Sequence, residues 1–101
     1  MSGLFGMVPG AVDLSAAAEA GIGEEMAATT AAGAAALTGV LPMAADADSI
    51  EFAAALNAAG AVYLATAAEH VGQRTAFSGA QGLASGATIA AEGFNAGAVG
   101  L

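Results

Sequence analysis

The large apolar residues in the second half of the chain recur at spacings of four and three residues, the period of one face of an α-helix. One run of positions comprises Phe52, Leu56, Ala59, Tyr63, Thr66, His70, Gln73 and Phe77. A second run, with a spacing of seven, comprises Ile50, Asn57, Leu64 and Val71. A helical hairpin needs only one of these two stripes to pack on its own other arm, so we expect the remaining one, whichever it is, to be free for another chain. The predicted partner interface consists of Ile50, Phe52, Leu56, Tyr63, Leu64, Val71 and Phe77.

The first half of the chain also predicts a helix, over about residues 12–39. It is rich in alanine, the best helix former, and shows no period-two alternation. Gly39 and Pro42 indicate the end of this helix. A loop over residues 40–47 and a second helix from 48 to about 78 follow. The predicted fold class is therefore all-α, an antiparallel two-helix hairpin.

Glycines interrupt the last part of the chain and weaken a helix there. They are Gly79, Gly82, Gly86, Gly93, Gly97 and Gly100. We therefore expect Gly79–Leu101 to be frayed or only partly helical. In terms of domains, residues 1–82 form the hairpin and residues 83–101 a glycine-rich tail.

The stretch ADADSIEFAA at residues 45–54 allows two interpretations. An Asp-Ser pair at a helix start in a small acidic protein is reminiscent of an acyl carrier, with Ser49 as the attachment site. Carriers, however, have Leu-Gly before the pair and a larger core than this alanine-rich chain provides. Asp48 and Glu51 have the spacing of a capping box, which explains the same residues without bound cargo.

Composition limits the size of the core and the kinds of partner. The chain has 101 residues and is 57% hydrophobic, but alanine supplies much of that fraction. Because alanine buries little apolar area, we expect the chain to need a partner surface. The net charge is −8, with Arg74 as the one Lys or Arg. This charge excludes nucleic acids and anionic lipid headgroups as partners.

No enzyme, cofactor or metal site is predicted. The chain has no cysteine, and His70 is its one histidine, so no zinc shell can be assembled. A triad of Ser78, His70 and an acid lacks any sign of an oxyanion hole. Met26–Ala45 is uncharged, but it is mostly Ala, Thr and Gly, and we do not expect a membrane span. The stretch MSGLFGMVPG does not fit a Sec signal peptide.

A hairpin that turns near residue 44 makes a prediction about charges. It brings Arg74 level with Asp13, His70 level with Glu19, and Tyr63 level with Glu25. We therefore expect Arg74 or His70 to meet a carboxylate of the first arm.

Three sequence features resemble the PE domain of mycobacteria, a family of small helical hairpins. Pro9 lies where the family carries Pro-Glu, and Gly21-Ile22-Gly23 follows in the first arm. Residues 40–49, VLPMAADADS, are similar to the family's Val-Val-Pro-x-Ala-Ala-Asp-x-x-Ser, with Pro42 and Asp46 at the matching positions. Tyr63 falls where the family has a tyrosine in its second helix.

Two positions depart from the family pattern. Pro9 is followed by Gly10, so the Pro-Glu pair is broken. The family's export signal is Tyr-x-x-x-Asp/Glu just after the second helix, whereas this chain has Thr88-x-x-x-Glu92. Either Thr88 belongs to a relaxed signal or the partner chain carries the recognised element.

The resemblance implies a function in assembly and export. PE proteins pair lengthwise with a PPE protein in a four-helix bundle. An EspG-type chaperone grips the PPE member, and a type VII secretion system exports the pair to the cell envelope or the medium without a Sec signal. Two alternatives remain: a secreted helical hairpin of the Esp or WXG-like type, and an envelope-inserting channel or structural component.

Overall fold

The computed structural model describes residues 6–100 of the chain. They form two α-helices, α1 (Pro9–Thr38) and α2 (Ala47–Ala98), joined by residues 39–46, and the described part contains no strand. The predicted all-α helical hairpin is thus confirmed. α1 begins three residues earlier than predicted. Pro9 occupies its first helical position, where the missing N–H has no intrahelical partner to lose and the fixed φ suits the helix.

α2 continues without a break through the glycine-rich segment to Ala98, so the predicted helix end near residue 78 is wrong, and so is the frayed tail. Residues 82 and 83, between which the hairpin was predicted to give way to the tail, lie within this continuous helix. Contacts with α1 explain this result as far as Ser85. The Ser78 hydroxyl donates to the Ala16 carbonyl (2.7 Å), and Gln81 Nε2 donates to Ser15 Oγ (3.0 Å). Such tertiary contacts override an intrinsic cost of about 1 kcal/mol per glycine.

The cap of α2 is Asp46, two residues before the predicted Asp48. The Ser49 backbone N–H donates to Asp46 Oδ1 (2.8 Å), and the Ser49 hydroxyl donates to Asp46 Oδ2 (3.0 Å). The Ile50 N–H donates to the Asp46 carbonyl, the first hydrogen bond of the helix (3.1 Å). Ser49 is therefore the third helical residue, engaged with the cap, and the capping interpretation of the Asp-Ser stretch holds with a shifted register.

The chain divides into two compact units, each an antiparallel pair of helical segments. One unit holds the chain up to Ile22 together with the chain from Arg74 onward, and the other is Gly23–Gln73. In the first unit, α1 starts beside Ser85, whose hydroxyl donates to the Pro9 carbonyl (3.5 Å).

The residues of α2 that face α1 are mostly small or polar, and Leu64 and Val71 are the larger apolar ones. The residues of α2 up to Thr88 that are not exposed follow one another at spacings of four and three residues. They are Ser49, Ala53, Asn57, Gly60, Leu64, Ala67, Val71, Arg74, Ser78, Gln81, Ser85 and Thr88. Among residues 6–100, just four are fully buried: Gly23, Ala53, Gly60 and Ser85. The described core is therefore as thin as the composition predicts.

The observed register differs from the predicted one. Arg74 pairs with Glu19 instead of lying level with Asp13, a difference of six residues or about 9 Å along a helix. The connection causes the shift. Residues 39–46 are not helical, and extended chain rises about 3.3 Å per residue against 1.5 Å for a helix. Val40 consequently bonds Asn57, about ten residues into α2.

Candidate functional site

The first run of apolar positions in α2 is exposed to solvent. Within the Gly23–Gln73 unit, Phe52 is 61% exposed and Tyr63 is 59% exposed, and Leu56 lies between them. Phe77 belongs to the other unit and is 54% exposed. In the sequence it continues the same run of positions at spacings of four and three residues. We call Phe52, Leu56, Tyr63 and Phe77 the apolar stripe. The hairpin does not cover these side chains, as expected for a surface that another chain buries.

The second run packs on α1. Asn57 makes two hydrogen bonds with Val40: its Oδ1 accepts from the Val40 N–H (2.8 Å), and its Nδ2 donates to the Val40 carbonyl (3.0 Å). Leu64 and Val71 are half-buried and line a shallow apolar groove with α1 residues such as Ala31. Of the second run, Ile50 alone is exposed. The predicted interface as a whole stays a prediction. Its seven residues differ in exposure, because Leu64 and Val71 are half-buried within the hairpin and the other five are exposed.

The charge prediction for the hairpin is confirmed at Arg74. Its Nη1 donates to Glu19 Oε2 at 2.9 Å, and both side chains are about two-thirds buried. This ion pair joins α1 to α2 inside one unit. Between partly exposed groups, an ion pair stabilises a fold by about 1 kcal/mol or less. It contributes more to the register of the two helices than to the free energy of unfolding.

The family-motif residues occupy the helix ends. Pro9 and Gly10 open α1, Pro42 lies in the connection, and Asp46 caps α2. The hydrogen bonds from Ser49, first through its backbone N–H and then through its hydroxyl, lower the pKa of Asp46 below the ordinary value of 3.8. These motif positions thus terminate and start helices, which is a structural role.

The two residues of the predicted export signal lie inside α2 and not after it. The Thr88 hydroxyl donates to the Ala84 carbonyl within the helix (2.9 Å). Glu92 follows one turn later and is exposed. Residues four apart on a helix are neighbours on one face, so Thr88 and Glu92 form a continuous surface.

The structure offers no support for the chemical sites considered from the sequence. Among residues 6–100, no three His, Cys, Asp or Glu side chains are grouped to hold a metal ion. Ser78 and His70 belong to different units of the chain, and the Ser78 hydroxyl donates to the Ala16 carbonyl. The exposed apolar stripe is a surface that another protein can contact.

One described helix, α2, is long and apolar enough to cross a membrane by length and composition alone. The segment considered from the sequence, Met26–Ala45, is not a single helix, because α1 ends at Thr38. The candidate membrane span is therefore α2, the helix that carries the apolar stripe, and not Met26–Ala45. By itself this is weak support for insertion, since helices of soluble proteins meet the same criterion.

Sequence reasoning missed Gly60, a buried glycine at the contact of the two helices. A Cβ at this position would collide with the backbone carbonyl of Leu37 near the end of α1. Gly60 thus allows the two backbones to approach closely. The signal available in the sequence was its phase, because Gly60 falls three residues after Asn57 and four before Leu64.

Comparison with known proteins agrees with the geometry. No curated protein and no solved structure shows significant similarity to the chain. A family model, in contrast, matches residues 6–95, nearly the whole chain, and its description is the PE family. With two helices, an exposed apolar stripe and motif residues at the helix ends, the chain belongs to the PE family.

Proposed function

We propose that the chain is a non-enzymatic PE protein exported by a type VII secretion system as a heterodimer with a PPE protein. Membership of the family indicates a type VII secretion substrate. The observation that carries the pairing is the exposed apolar stripe, which lies on a hairpin with four fully buried residues among those described.

The accessible surface supports the same proposal. It amounts to 7261 Å² for a chain of 9.4 kDa, whereas a globular monomer of this mass exposes about 5,000 Å². The excess of about 2,000 Å² on this one chain is more than the roughly 800 Å² that each partner buries in a stable interface of standard size. A second helical hairpin laid along α2 would cover the stripe and complete a four-helix bundle.

In this proposal the chain is exported from the cytoplasm together with its partner. An EspG-type chaperone holds the PPE partner before export, and the secretion machinery delivers the pair to the cell envelope or the medium. Thr88 and Glu92 form the export signal in this proposal. Glu92→Gln then reduces secretion without weakening co-purification with the partner, whereas Glu69→Gln, a change at another exposed carboxylate of α2, leaves secretion intact.

Substitutions on α2 test the pairing. Tyr63→Glu and Phe77→Glu place a charge on the stripe, and burying an unpaired charge opposes association. The matched control is Val62→Glu. Val62 is 66% exposed and shares its helical phase with Glu51 and Glu69, on a solvated face. Co-purification with a co-expressed PPE protein measures the effect.

The pairing predicts a clear contrast between these variants. Tyr63→Glu and Phe77→Glu abolish co-purification, and Val62→Glu retains it. Full retention by both stripe variants would contradict the pairing and favour a free-standing secreted hairpin of the Esp or WXG-like type.

Insertion into the envelope is a second candidate, favoured by the length and apolar composition of α2. Flotation of the purified chain with lipid vesicles distinguishes it from pairing. Recovery of the chain with the vesicles, undiminished by high salt, supports insertion. Recovery in the unbound fraction supports the paired, non-inserted protein.

A further inference from the structure

The connection between the helices is held in place at both ends. Asn57 binds both the N–H and the carbonyl of Val40 at one end of the connection. At the other end, the Asp46 carboxylate accepts two hydrogen bonds from Ser49. All of these residues belong to the Gly23–Gln73 unit. Val40 and Asp46, close to the two ends of the connection, are therefore both fixed to α2.

This connection presents large apolar side chains to solvent. Leu41 is 82% exposed and Met43 is 93% exposed. Together with Phe52 they line an apolar groove of about 380 Å³. We call Leu41, Met43 and Phe52 the loop patch. Exposed apolar side chains that lie close together are typical of contact sites, because removing their surface from water lowers the free energy.

The surroundings of the loop patch are acidic. Asp46, Asp48 and Glu51 lie within the start of α2, all exposed, and Asp48 lines the groove itself. Residues 23–73 contain six Asp or Glu and no Lys or Arg. The low pKa of Asp46 keeps its carboxylate charged throughout the physiological range. An occupant must therefore supply both apolar side chains and positive charge, and anionic lipid surfaces are repelled.

We propose that the loop patch docks a cationic amphipathic helix of a protein partner, with its apolar side chains in the groove and its Lys or Arg side chains facing Asp46, Asp48 and Glu51. Apolar anchors at the centre with complementary charges at the rim are the usual arrangement of a helix in a groove. This inference goes beyond the proposed function. The groove shares Phe52 and Leu56 with the apolar stripe, but Leu41 and Met43 lie outside the stripe, so substitutions at these two residues test the docking separately from the pairing.

A model peptide tests the docking. The probe is a synthetic amphipathic helix of leucine and lysine, about fifteen residues long so that it forms a helix. It is titrated into the isotopically labelled full chain while backbone amide chemical shifts are recorded. The proposal predicts shifts concentrated on residues 40–56 and affinity that falls as salt is added.

Variants separate docking from general attraction to an acidic protein. Leu41→Ser with Met43→Ser weakens binding at least about tenfold, since each change removes an apolar contact. Glu51→Gln weakens binding by a smaller factor through charge alone. Leu83→Ser, a change at a residue 78% exposed in the other unit, leaves the affinity unchanged. Tyr63→Glu also retains peptide binding, which keeps this result independent of the pairing test.

Other outcomes overturn the proposal. Equal loss of affinity in Leu83→Ser, or shifts spread over all the carboxylates, would show non-specific attraction. Equal binding of a leucine and glutamate peptide would exclude the charge complementarity. Shifts of residues 40–56 that appear without peptide as the chain is concentrated would assign the patch to a second copy of the chain.

Discussion

At the scale of single residues, adding one methyl group at Gly60 is expected to lower the free energy of unfolding. Its missing side chain leaves room for the Leu37 carbonyl, with which any Cβ would collide. Gly60→Ala therefore forces α1 and α2 apart within the Gly23–Gln73 unit. We expect a loss of about 1–3 kcal/mol in the free energy of unfolding, as for overpacked cores. Chemical denaturation followed by circular dichroism measures it.

Gly72→Ala is the matched control for Gly60→Ala. Gly72 is a glycine of the same helix and unit, but no atom lies within 4 Å of a Cβ built on it. Removing a helical glycine of this kind stabilises by about 0.5–1 kcal/mol. If both variants were equally stabilised, the close approach at Gly60 would be wrong.

Asp46 makes the stability of α2 depend on pH. Hydrogen bonds from Ser49 lower its pKa in the folded chain below 3.8, so the carboxylate stabilises the fold above about pH 4. This contribution disappears as the pH falls through the lowered pKa, because the protonated group no longer caps the helix as an anion. Asp46→Ala should lower the thermal midpoint at neutral pH, and the difference from the native chain should shrink in acid.

Asp48→Ala tests whether the effect of Asp46→Ala belongs to the cap. Asp48 is exposed and lies one residue inside the first helical residue, Ala47. Its substitution removes a charge near the helix N-terminus but not the acceptor of the Ser49 N–H. A larger drop in midpoint for Asp48→Ala than for Asp46→Ala would restore the capping box predicted from the sequence.

At the scale of elements, the glycine-rich end of α2 depends on its contact with α1. Ser85 is 1% exposed and donates to the Pro9 carbonyl. Ser85→Leu overfills this contact, and we expect it to cost about 1–3 kcal/mol. Hydrogen exchange of the amides of residues 79–98 should accelerate, since helix propensity alone does not hold this segment.

Ala84→Leu is the control for Ser85→Leu. Ala84 is the preceding residue and is exposed, so the same leucine points away from α1. Exchange in residues 79–98 should remain as in the native chain. Unchanged exchange in both variants would mean that the end of α2 is helical without help from α1.

At the scale of the whole molecule, the large exposed surface predicts low stability of the isolated chain. A partner that binds only the folded chain raises the midpoint by mass action, in proportion to the logarithm of its concentration over the dissociation constant. We expect a broad thermal transition for the isolated chain and a sharper, higher transition for the co-purified pair. A sharp melt from a clean monomer by light scattering would contradict the need for a partner.

The amino-acid sequence by itself determined the helical hairpin and the absence of a catalytic cysteine, and it predicted that one of two stripes on the second helix would stay free. These properties depend on composition and on spacings of three and four, which are local. The thin core also followed from composition, because alanine buries little area whichever way it faces. The meeting of Arg74 with a first-arm carboxylate was predictable because Arg74 is the one Lys or Arg among nine acidic residues.

Only the tertiary structure decided which side of α2 packs on α1. Hydrophobicity does not single out a seam of Ala53, Gly60 and Ser85, because close approach of backbones and hydrogen bonds, and not large side chains, hold it together. The register depended on the rise of the non-helical connection. The helical state of residues 79–85 depended on contacts distant in sequence, and no local propensity contains such contacts.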